Sequence, residues 1–482
     1  MKRRALISVT DKSGIVELAR ALTQANYEVI ATSGTVKELR SAGIDVREVS
    51  EITGVGEVAG GRVKTLHPEL FAGILATGAE REQITPIDIV VVNLYDFAGS
   101  IHRGSFDIEK IDVGGVALIR AAAKNFEEVV LLTSPSQYVE LIDSLPIGLE
   151  IERRRELAGI AFAMTAQYDL QIAHAFASSG ASGLRYGENP HQSASLLSDG
   201  SGIAGARNLS HRSAKALSYN NLLDGDAAWR AVSDHGDAEA VVAIIKHSNP
   251  CGIAKASSSR AAFRKALECD PVSSYGGVIA SNRVVDGDLA KDLTEIFLEV
   301  IVAPGFTDEA LVQLQRRESL RILEVSTSKR SLAGAFISGG ILIQDPDEIL
   351  SESSDDWDLV AGNPVSESMM EDLRFAWRAV RSVKSNAIVI ARDQATIGIG
   401  MGQVSRVDAA RLAVARGGDR VKGAVAASDA FFPFADGAME LVHAGVVAIV
   451  QPGGSKRDSE VIEAISMAGI TMYLTHRRHF SH

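Results

Sequence analysis

The chain has 482 residues, 46% of them hydrophobic and 23% charged, which is the composition of a globular protein with two to four domains. Its formal net charge of −12 argues against a protein that coats nucleic acid, and no segment is long and apolar enough to span a membrane. Two cysteines, Cys251 and Cys269, exclude a disulfide framework, and the apolar run after Met1 is too short for a signal peptide, so we expect a cytoplasmic protein.

The first third of the chain alternates predicted strands and helices. The apolar runs predict strands at Ala5–Val9, Tyr27–Thr32, Pro86–Asn93 and Val129–Leu132. This alternation predicts a doubly wound parallel sheet with helices on both faces. An Ala-rich helical stretch, Glu150–Ser178, comes next, and the small residues of 178–183 are typical of a linker. We therefore place a domain boundary near residue 180, giving domains 1–180 and 181–482.

The second domain continues with strands and helices. Its predicted strands are Val241–Lys246, Val278–Ser281, Glu299–Val302, Arg321–Val325, Ala387–Ala391, Ala424–Ala427 and Val446–Val450. The segment 383–386 (VKSN) weakly repeats 245–249 (IKHSN). This echo hints at an internal duplication, with subdomains near 181–350 and 351–482.

The segment Ala240–Gly252 carries the clearest chemical signal in the chain. A buried apolar strand ends in Lys246 and His247, and Asn249-Pro250 then breaks it. We expect this pair to lie at the carboxyl edge of a sheet, where open α/β folds bind their ligands. An amine beside an imidazole can move protons and stabilise developing charge, so the pattern indicates general acid–base catalysis.

Loops in the first domain combine hydroxyls, glycines and cations next to predicted helix starts, a pattern that suits a phosphate. Those residues are Ser8, Thr10, Lys12, Ser33, Gly34, Thr35, Arg62, Lys64 and Thr65.

A dozen short strings along the chain, in one order, resemble a known enzyme family. They include SVTDKSG from Ser8, RVKTLHP from Arg62, DVGG from Asp112, RAAAKN from Arg120, RYGENPHQ from Arg185, KHSNPCG from Lys246 and SDAFFPF from Ser428. The family is the bifunctional enzyme of late purine biosynthesis, in which phosphoribosylaminoimidazolecarboxamide (AICAR) formyltransferase is joined to IMP cyclohydrolase. The resemblance runs nearly end to end.

The resemblance implies a fold, two reactions and an assembly. It implies a methylglyoxal-synthase-like first domain followed by two cytidine-deaminase-like α/β/α subdomains. Formyl transfer from 10-formyltetrahydrofolate to AICAR would be followed by ring closure to IMP. A homodimer with the formyltransferase sites at its interface is also implied. Neither zinc nor NAD is expected as a cofactor. Whether a monovalent cation binds near the second site is left open.

The resemblance also implies roles for individual residues. In ring closure, Lys124 would shuttle protons beside Asp112 and Tyr95, and Asn93 would join the phosphate loops in binding the nucleotide. In formyl transfer, the catalytic residues would be Lys246, His247 and Asn386. The AICAR ligands would be Arg185, Tyr186, Gly276, Glu299, Arg406 and Arg478. The folate ligands would be Phe431, Asp436, Ser455 and Lys456.

Other classes of protein fit the sequence less well. A nicotinamide dehydrogenase lacks its glycine fingerprint, and a P-loop NTPase lacks any Gly-Lys dipeptide. A zinc deaminase would need a second cysteine where Ala254 stands, three residues after Cys251. A nucleotide sensor, or a relative with a single activity, would have no need of proton-transfer groups in both domains.

Overall fold

The computed structural model describes residues 3–101, 105–179, 184–198, 200–326, 333–338, 340–349 and 353–482, with only the backbone described at 178 and 179. The chain divides into two compact units, Met1–Ala181 and Ser182–His482. Most of the predicted linker, 178–183, lies outside the described residues, although the backbone is still helical at 179. Within the described part of the chain, no helix is long and apolar enough to cross a bilayer.

Unit 1 (Met1–Ala181) is a parallel α/β layer structure. Its described strands are β1 (Arg3–Ser8), β2 (Tyr27–Ala31), β3 (Arg47–Glu48), β4 (Ile89–Val92) and β5 (Val130–Leu132). Its described helices are α1 (Ile15–Gln24), α2 (Ser33–Ser41), α3 (Val49–Thr53), α4 (Pro68–Leu75), α5 (Glu80–Gln83), α6 (Gly114–Lys124), α7 (Tyr138–Ser144) and α8 (Ile151–Ser179). The strands pair in the order β3-β2-β1-β4-β5, all parallel. The predicted doubly wound sheet is confirmed.

The apolar pattern explains this architecture. All four residues of β4 are buried, as expected for a central strand covered by helices on both faces. On α1, Ile15, Leu18 and Leu22 are fully buried at a spacing of three and four residues. Two apolar clusters result, one on each side of the sheet. The sheet edge at the carboxyl ends of the strands is thereby held in a fixed shape.

Unit 2 (Ser182–His482) is built on one long mixed sheet. Its described strands are β6 (Arg207–Asn208), β7 (Ala240–Lys246), β8 (Asn249–Ala256), β9 (Gly277–Ser281), β10 (Leu298–Ala303), β11 (Arg321–Glu324), β12 (Ala333–Ile337), β13 (Gly340–Gln344), β14 (Asp358–Ala361), β15 (Ile388–Arg392), β16 (Ala395–Gly400), β17 (Val425–Ser428), β18 (Ala448–Gln451) and β19 (Thr471–Leu474). Its described helices are α9 (Tyr219–Ser233), α10 (Ser259–Cys269), α11 (Gly287–Leu293), α12 (Asp308–Gln315), α13 (Glu367–Val380), α14 (Arg406–Gly417), α15 (Ala435–His443) and α16 (Asp458–Met467).

The order of these elements repeats. The series α9-β7-β8-α10-β9-α11-β10-α12-β11 is followed by α13-β15-β16-α14-β17-α15-β18-α16-β19. Twelve described strands form one sheet in the order β14-β19-β18-β17-β15-β16-β8-β7-β9-β10-β11-β6, while β12 and β13 pair only with each other. The two halves therefore have the same topology and share one continuous sheet.

The halves meet where β8 lies antiparallel to β16. Ala395 pairs with Ala254 there, and the buried Thr396 hydroxyl replaces backbone groups in the ladder. Its Oγ1 accepts from the Ile253 N–H at 2.9 Å and donates to the Ile253 carbonyl at 3.1 Å. One apolar cluster runs through both halves, so unit 2 has a common core.

The sequence prediction lacks several described strands of unit 2, among them β8 and β16, which join its two halves. Asn249-Pro250 does not end the strand segment but opens β8, because His247 and Ser248 form a two-residue turn with positive φ angles of 53° and 58°. The matching turn between β15 and β16 is Asp393-Gln394, with φ angles of 53° and 54°. The segments 383–386 and 245–249, which are similar in sequence, are therefore not equivalent in the structure. The counterpart of the His247 turn is the turn at 393–394.

Candidate active sites

Unit 1 contains a cavity of about 750 Å³ at the carboxyl ends of β1, β2 and β4. The helices that begin there, α2 and α6, point their N-termini toward it, with Gly34, Gly114 and Gly115 in its wall. Helix N-termini carry unpaired N–H groups and partial positive charge, which favour an anion. The cavity thus has the position and the polarity of a phosphate-binding site.

Most of the predicted residues of unit 1 lie in the wall of this cavity. They are Ser8, Thr10, Lys12, Gly34, Thr35, Arg62, Lys64, Thr65, Asn93, Tyr95 and Asp112. Ser33 is not in the wall; its hydroxyl donates to Glu57 at 2.5 Å. Asn93 accepts from the N–H groups of Thr10 and Asp11 at 2.6 and 3.0 Å and donates to the Asp11 carbonyl, so it shapes the loop around the cavity.

Two carboxylates that the sequence analysis missed accompany the cavity cations. Glu109 accepts two hydrogen bonds from Arg62, at 3.0 and 2.8 Å, and Glu57 lies 3.2 Å from the Lys64 ammonium. The Ser33 hydroxyl and the Lys64 ammonium hold the pKa of Glu57 below its usual range. Because both ion pairs are partly or largely exposed to solvent, they are weak and can exchange for a ligand phosphate.

Asp112 is a half-buried acid in the wall of the cavity. Burial raises the pKa of this carboxyl, while hydrogen bonds from the backbone N–H groups of Gly115, at 2.6 Å, and Tyr95 act in the opposite direction. A Cβ on residue 115 would lie 2.8 Å from the Asp112 carboxyl oxygens, so any larger residue there would displace this carboxylate. A carboxyl with a raised pKa beside a cation-lined cavity is suited to proton transfer.

Tyr168 of α8 is a further residue that the sequence analysis missed. Its hydroxyl accepts from the Asp112 N–H and donates to the Lys110 carbonyl, both at 2.8 Å, and its ring is buried against Phe97. This side chain therefore fixes the backbone on which Asp112 stands. The Ala-rich composition of α8 indicated a helix and gave no sign of this role.

The structure does not bring Lys124 to the cavity. Lys124 is the last residue of α6, whose first residues, Gly114 and Gly115, line the cavity. At 1.5 Å per residue, the α6 helix separates Lys124 from Gly114 by about 15 Å. Lys124 is exposed at the opposite edge of the sheet, next to Asn125, which donates to the Ile74 carbonyl at 2.8 Å. The structure therefore contradicts the predicted role of Lys124 as a proton shuttle in this cavity.

In unit 2 the predicted residues follow a single edge of the sheet. The strand β7 runs antiparallel to β9, so its carboxyl end lies beside the amino ends of β9, β10 and β11. The carboxyl ends of β17, β18 and β19 lie along the same edge. Lys246 and His247 thus lie at the carboxyl end of their own strand, β7, as expected, but the neighbouring parallel strands β9, β10 and β11 reach this edge with their amino ends.

A short chain of hydrogen bonds links His247 to the segment that carries Asn386. The Asn249 amide donates to the His247 carbonyl and accepts from the Lys384 N–H, both at 3.2 Å. His247 is exposed in its turn, and the half-buried Lys246 donates to the Tyr275 carbonyl at 2.9 Å, next to Gly276. The structure therefore places an imidazole, an ammonium and an amide along one stretch of the sheet edge.

Arg406 differs from its predicted role. It is 6% exposed, and its guanidinium donates to the Ala387 carbonyl, the Ser428 hydroxyl and the Asp429 carboxylate. It also donates to the Asn386 side-chain oxygen at 2.7 Å. With these bonds made inside the protein, Arg406 cannot grip a phosphate bidentately; it orients Asn386 instead.

A second cluster surrounds Arg185 and Tyr186. The Arg185 guanidinium lies 4.5 Å from the centre of the Tyr186 ring. Glu299 accepts from Asn221 at 2.8 Å and lies 3.6 Å from Arg321, a buried cation that the sequence analysis missed. Burial lowers the pKa of Arg321, and the neighbouring Arg185 acts in the same direction. Two cations close together make this part of the edge receptive to an anion.

The predicted folate residues follow β17 and β18. Phe431 is half-buried, whereas Asp436 and Lys456 are exposed and Ser455 lies in the loop after two positive-φ glycines. Arg478 is exposed and stacks on Phe480 at 4.6 Å. Its segment is attached to the protein, because the His479 N–H donates to the Asp429 carbonyl and the Ser481 N–H donates to the Ser385 hydroxyl.

Comparison with known proteins identifies the family. The family model for the AICARFT/IMPCHase bienzyme matches residues 122–416, and the model for the MGS-like domain matches residues 14–119. The chain belongs to the AICARFT/IMPCHase bienzyme family. Proteins described as "Bifunctional purine biosynthesis protein PurH" are similar along the whole chain: 50% identical in Cutibacterium acnes, covering 99% of that protein, and 48% in Mycobacterium leprae, covering 97%. A solved structure titled "Crystal structure of ForH" is 36% identical, with a TM-score of 0.35, and covers 37% of this chain and 98% of that one.

Family membership gives the activities. The chain is an enzyme of purine biosynthesis that combines AICAR formyltransferase and IMP cyclohydrolase, acts on small molecules and uses a folate-type one-carbon donor. Its first unit has the MGS-like fold that the resemblance implied. Among the described residues, no group of three or more His, Cys, Asp or Glu side chains is arranged to hold a metal ion.

Proposed function

We propose that ring closure takes place in the cavity of unit 1 and formyl transfer along the sheet edge of unit 2. The observation that carries this division is the position of the half-buried acid Asp112 in one unit and of Lys246 and His247 in the other. The boundary between the units, after residue 181, supports domains that each contain one complete set of groups.

In ring closure, the carboxamide nitrogen of formyl-AICAR attacks the formyl carbon, and water then leaves. Asp112 accepts a proton from the attacking nitrogen and returns it to the departing oxygen, which is general acid–base catalysis. Lys64 and the N–H groups at the start of α6 face the cavity and stabilise the oxyanion. Tyr95 lines the same cavity and positions the imidazole ring.

In formyl transfer, the 5-amino group of AICAR attacks the formyl carbon of 10-formyltetrahydrofolate. A new C–N bond forms, and the bond between the formyl carbon and N10 of the folate breaks. His247 takes the proton from the amine and delivers it to N10, while Lys246 stabilises the charge on the tetrahedral intermediate. Asn386, held by Arg406, orients the carboxamide of AICAR.

The nucleotide and the folate would occupy neighbouring stretches of this edge. Arg185, Tyr186 and Glu299 would hold AICAR at one end, with Arg478 supplying a further cation, and the loops after β17 and β18 would hold the folate. We also propose a cytoplasmic homodimer with the formyltransferase sites at its interface, as the resemblance implies. Size-exclusion chromatography with light scattering tests this assembly.

The test is to supply the protein with AICAR and 10-formyltetrahydrofolate and follow the formation of IMP. We expect His247→Ala to lose formyl transfer by about 100- to 10,000-fold and to keep ring closure of added formyl-AICAR. Near-normal formyl transfer by this variant, or equal loss of both reactions, would refute the proposed division of labour.

A further inference from the structure

The turn that presents His247 is held by a carboxylate from another element. Asp224, on α9, accepts from the Ser248 N–H at 2.7 Å through one oxygen and from the His247 N–H at 3.3 Å through the other. The Ser248 hydroxyl also lies 3.3 Å from the first of these oxygens. Both N–H groups of the turn are thus bound by one side chain.

This turn requires such support. His247 and Ser248 both have positive φ angles, a conformation that side chains with a Cβ disfavour. Among the described residues, the His247 ring makes no hydrogen bond, so no polar partner fixes the ring and the direction of the imidazole depends on the backbone of the turn. A carboxylate that accepts both N–H groups favours this conformation over its alternatives.

The second half of unit 2 contains an equivalent turn held by a carboxylate, but this turn carries no imidazole. Asp372, on α13, accepts from the N–H groups of Asp393 and Gln394 at 3.0 and 2.7 Å. Asp224 lies five residues after the start of α9, and Asp372 lies five residues after the start of α13. Because β15 runs antiparallel to β7 across the sheet, the Asp393 turn lies at the opposite edge from His247.

We propose that Asp224 is a positioning residue for formyl transfer: it holds the left-handed turn that aims the His247 imidazole at the amine of AICAR. This inference rests on the proposed role of His247 as the base. Asp372 supports an equivalent turn far from the reaction, so it provides a matched structural control within the same chain.

The experiment compares Asp224→Ala with Asp372→Ala in the full-length protein. Asp224→Ala should lower kcat for formyl transfer by about 10- to 100-fold, since a misplacement of about 1 Å can cost 100-fold, with KM for AICAR changed less than about threefold. Asp372→Ala should lower the melting temperature by about as much as Asp224→Ala does, but it should keep formyl transfer within about twofold of wild type. Ring closure should be unchanged in both variants.

A rescue separates positioning from general stability. Glycine adopts positive φ without strain, so adding Ser248→Gly to Asp224→Ala should recover formyl transfer at least about threefold. If Asp224→Ala does not fold, Asp224→Asn, which keeps one acceptor oxygen, should give an intermediate loss. The proposal is overturned if Asp224→Ala, or Asp224→Asn in its place, turns over normally, if Asp372→Ala loses as much, or if glycine restores nothing. A His247→Ala variant with normal turnover would instead refute the role of the base itself.

Discussion

Replacing Asp112 by Asn tests the proposed ring-closure site most directly. The amide oxygen of Asn can still accept from the Gly115 N–H, as the carboxylate does at 2.6 Å, so the substitution removes the charge and largely keeps the geometry. General acid–base catalysis is worth about 100- to 10,000-fold. We therefore expect kcat for cyclisation of formyl-AICAR to fall by that factor, a barrier increase of about 3–5 kcal/mol.

The pH dependence gives a second readout. Because burial raises the pKa of Asp112, the carboxylate base forms at a higher pH than for a free Asp side chain. Ring closure should rise with pH through this raised pKa in the wild-type protein, and Asp112→Asn should lack that limb. The raised pKa also means that the folded state disfavours the charge, so stability falls as pH rises from about 3.9 through the raised value. Asp112→Asn should therefore not be less stable at neutral pH.

The assay follows the ultraviolet absorbance of IMP after addition of formyl-AICAR. The matched control is Asp96→Asn, because exposed Asp96 also accepts from the N–H of a glycine three residues later, Gly99, at 2.9 Å and lies outside the cavity wall. This control should cyclise normally. Turnover by Asp112→Asn within about fivefold of wild type would show that Asp112 is not the proton-transfer group.

Three other predictions follow from the contacts. Tyr168→Phe removes both hydrogen bonds to the backbone of Lys110 and Asp112, so kcat for ring closure should fall about tenfold while KM, measured in the same assay, changes little. Arg406→Met leaves the buried Asp429 without its cation and should lower the free energy of unfolding by about 3–5 kcal/mol in a denaturant titration; a loss below about 1 kcal/mol would contradict the buried pair. A fragment ending at residue 181 should fold and close the ring without formyl transfer, and a folded but inert fragment would refute the domain assignment.

The sequence predicted much of the fold because apolar periodicity directly reflects burial. The run at β4 is buried at all four positions, and α1 buries the face that its spacing predicts. Strand β8 was missed for a different reason. Gly, Asn and Pro usually break strands, but Asn249-Pro250 opens β8 at a point where the pairing register shifts, which is where a sheet tolerates proline.

The site was predicted less completely, since side-chain partners depend on tertiary contacts. The cavity residues lie in short loops at strand ends, and such loops are visible in the sequence. By contrast, Tyr168 reaches Asp112 from 56 residues away, and Asp224 reaches the His247 turn from a separate helix. Lys124 shows the opposite error: it is close to Asp112 in the sequence, but a whole helix separates the two in space.

The junction of β8 and β16 has a consequence for how unit 2 can be divided. Cutting the chain between its repeated halves would uncover two long, apolar strand edges, and the buried Thr396 hydroxyl would lose its partner on Ile253. Uncovered edges of this kind pair with other copies and aggregate. The two repeats should therefore be insoluble when produced separately and should recover only when they are co-expressed and reassemble edge to edge. We therefore expect each copy of the repeated motif to need the other in order to fold.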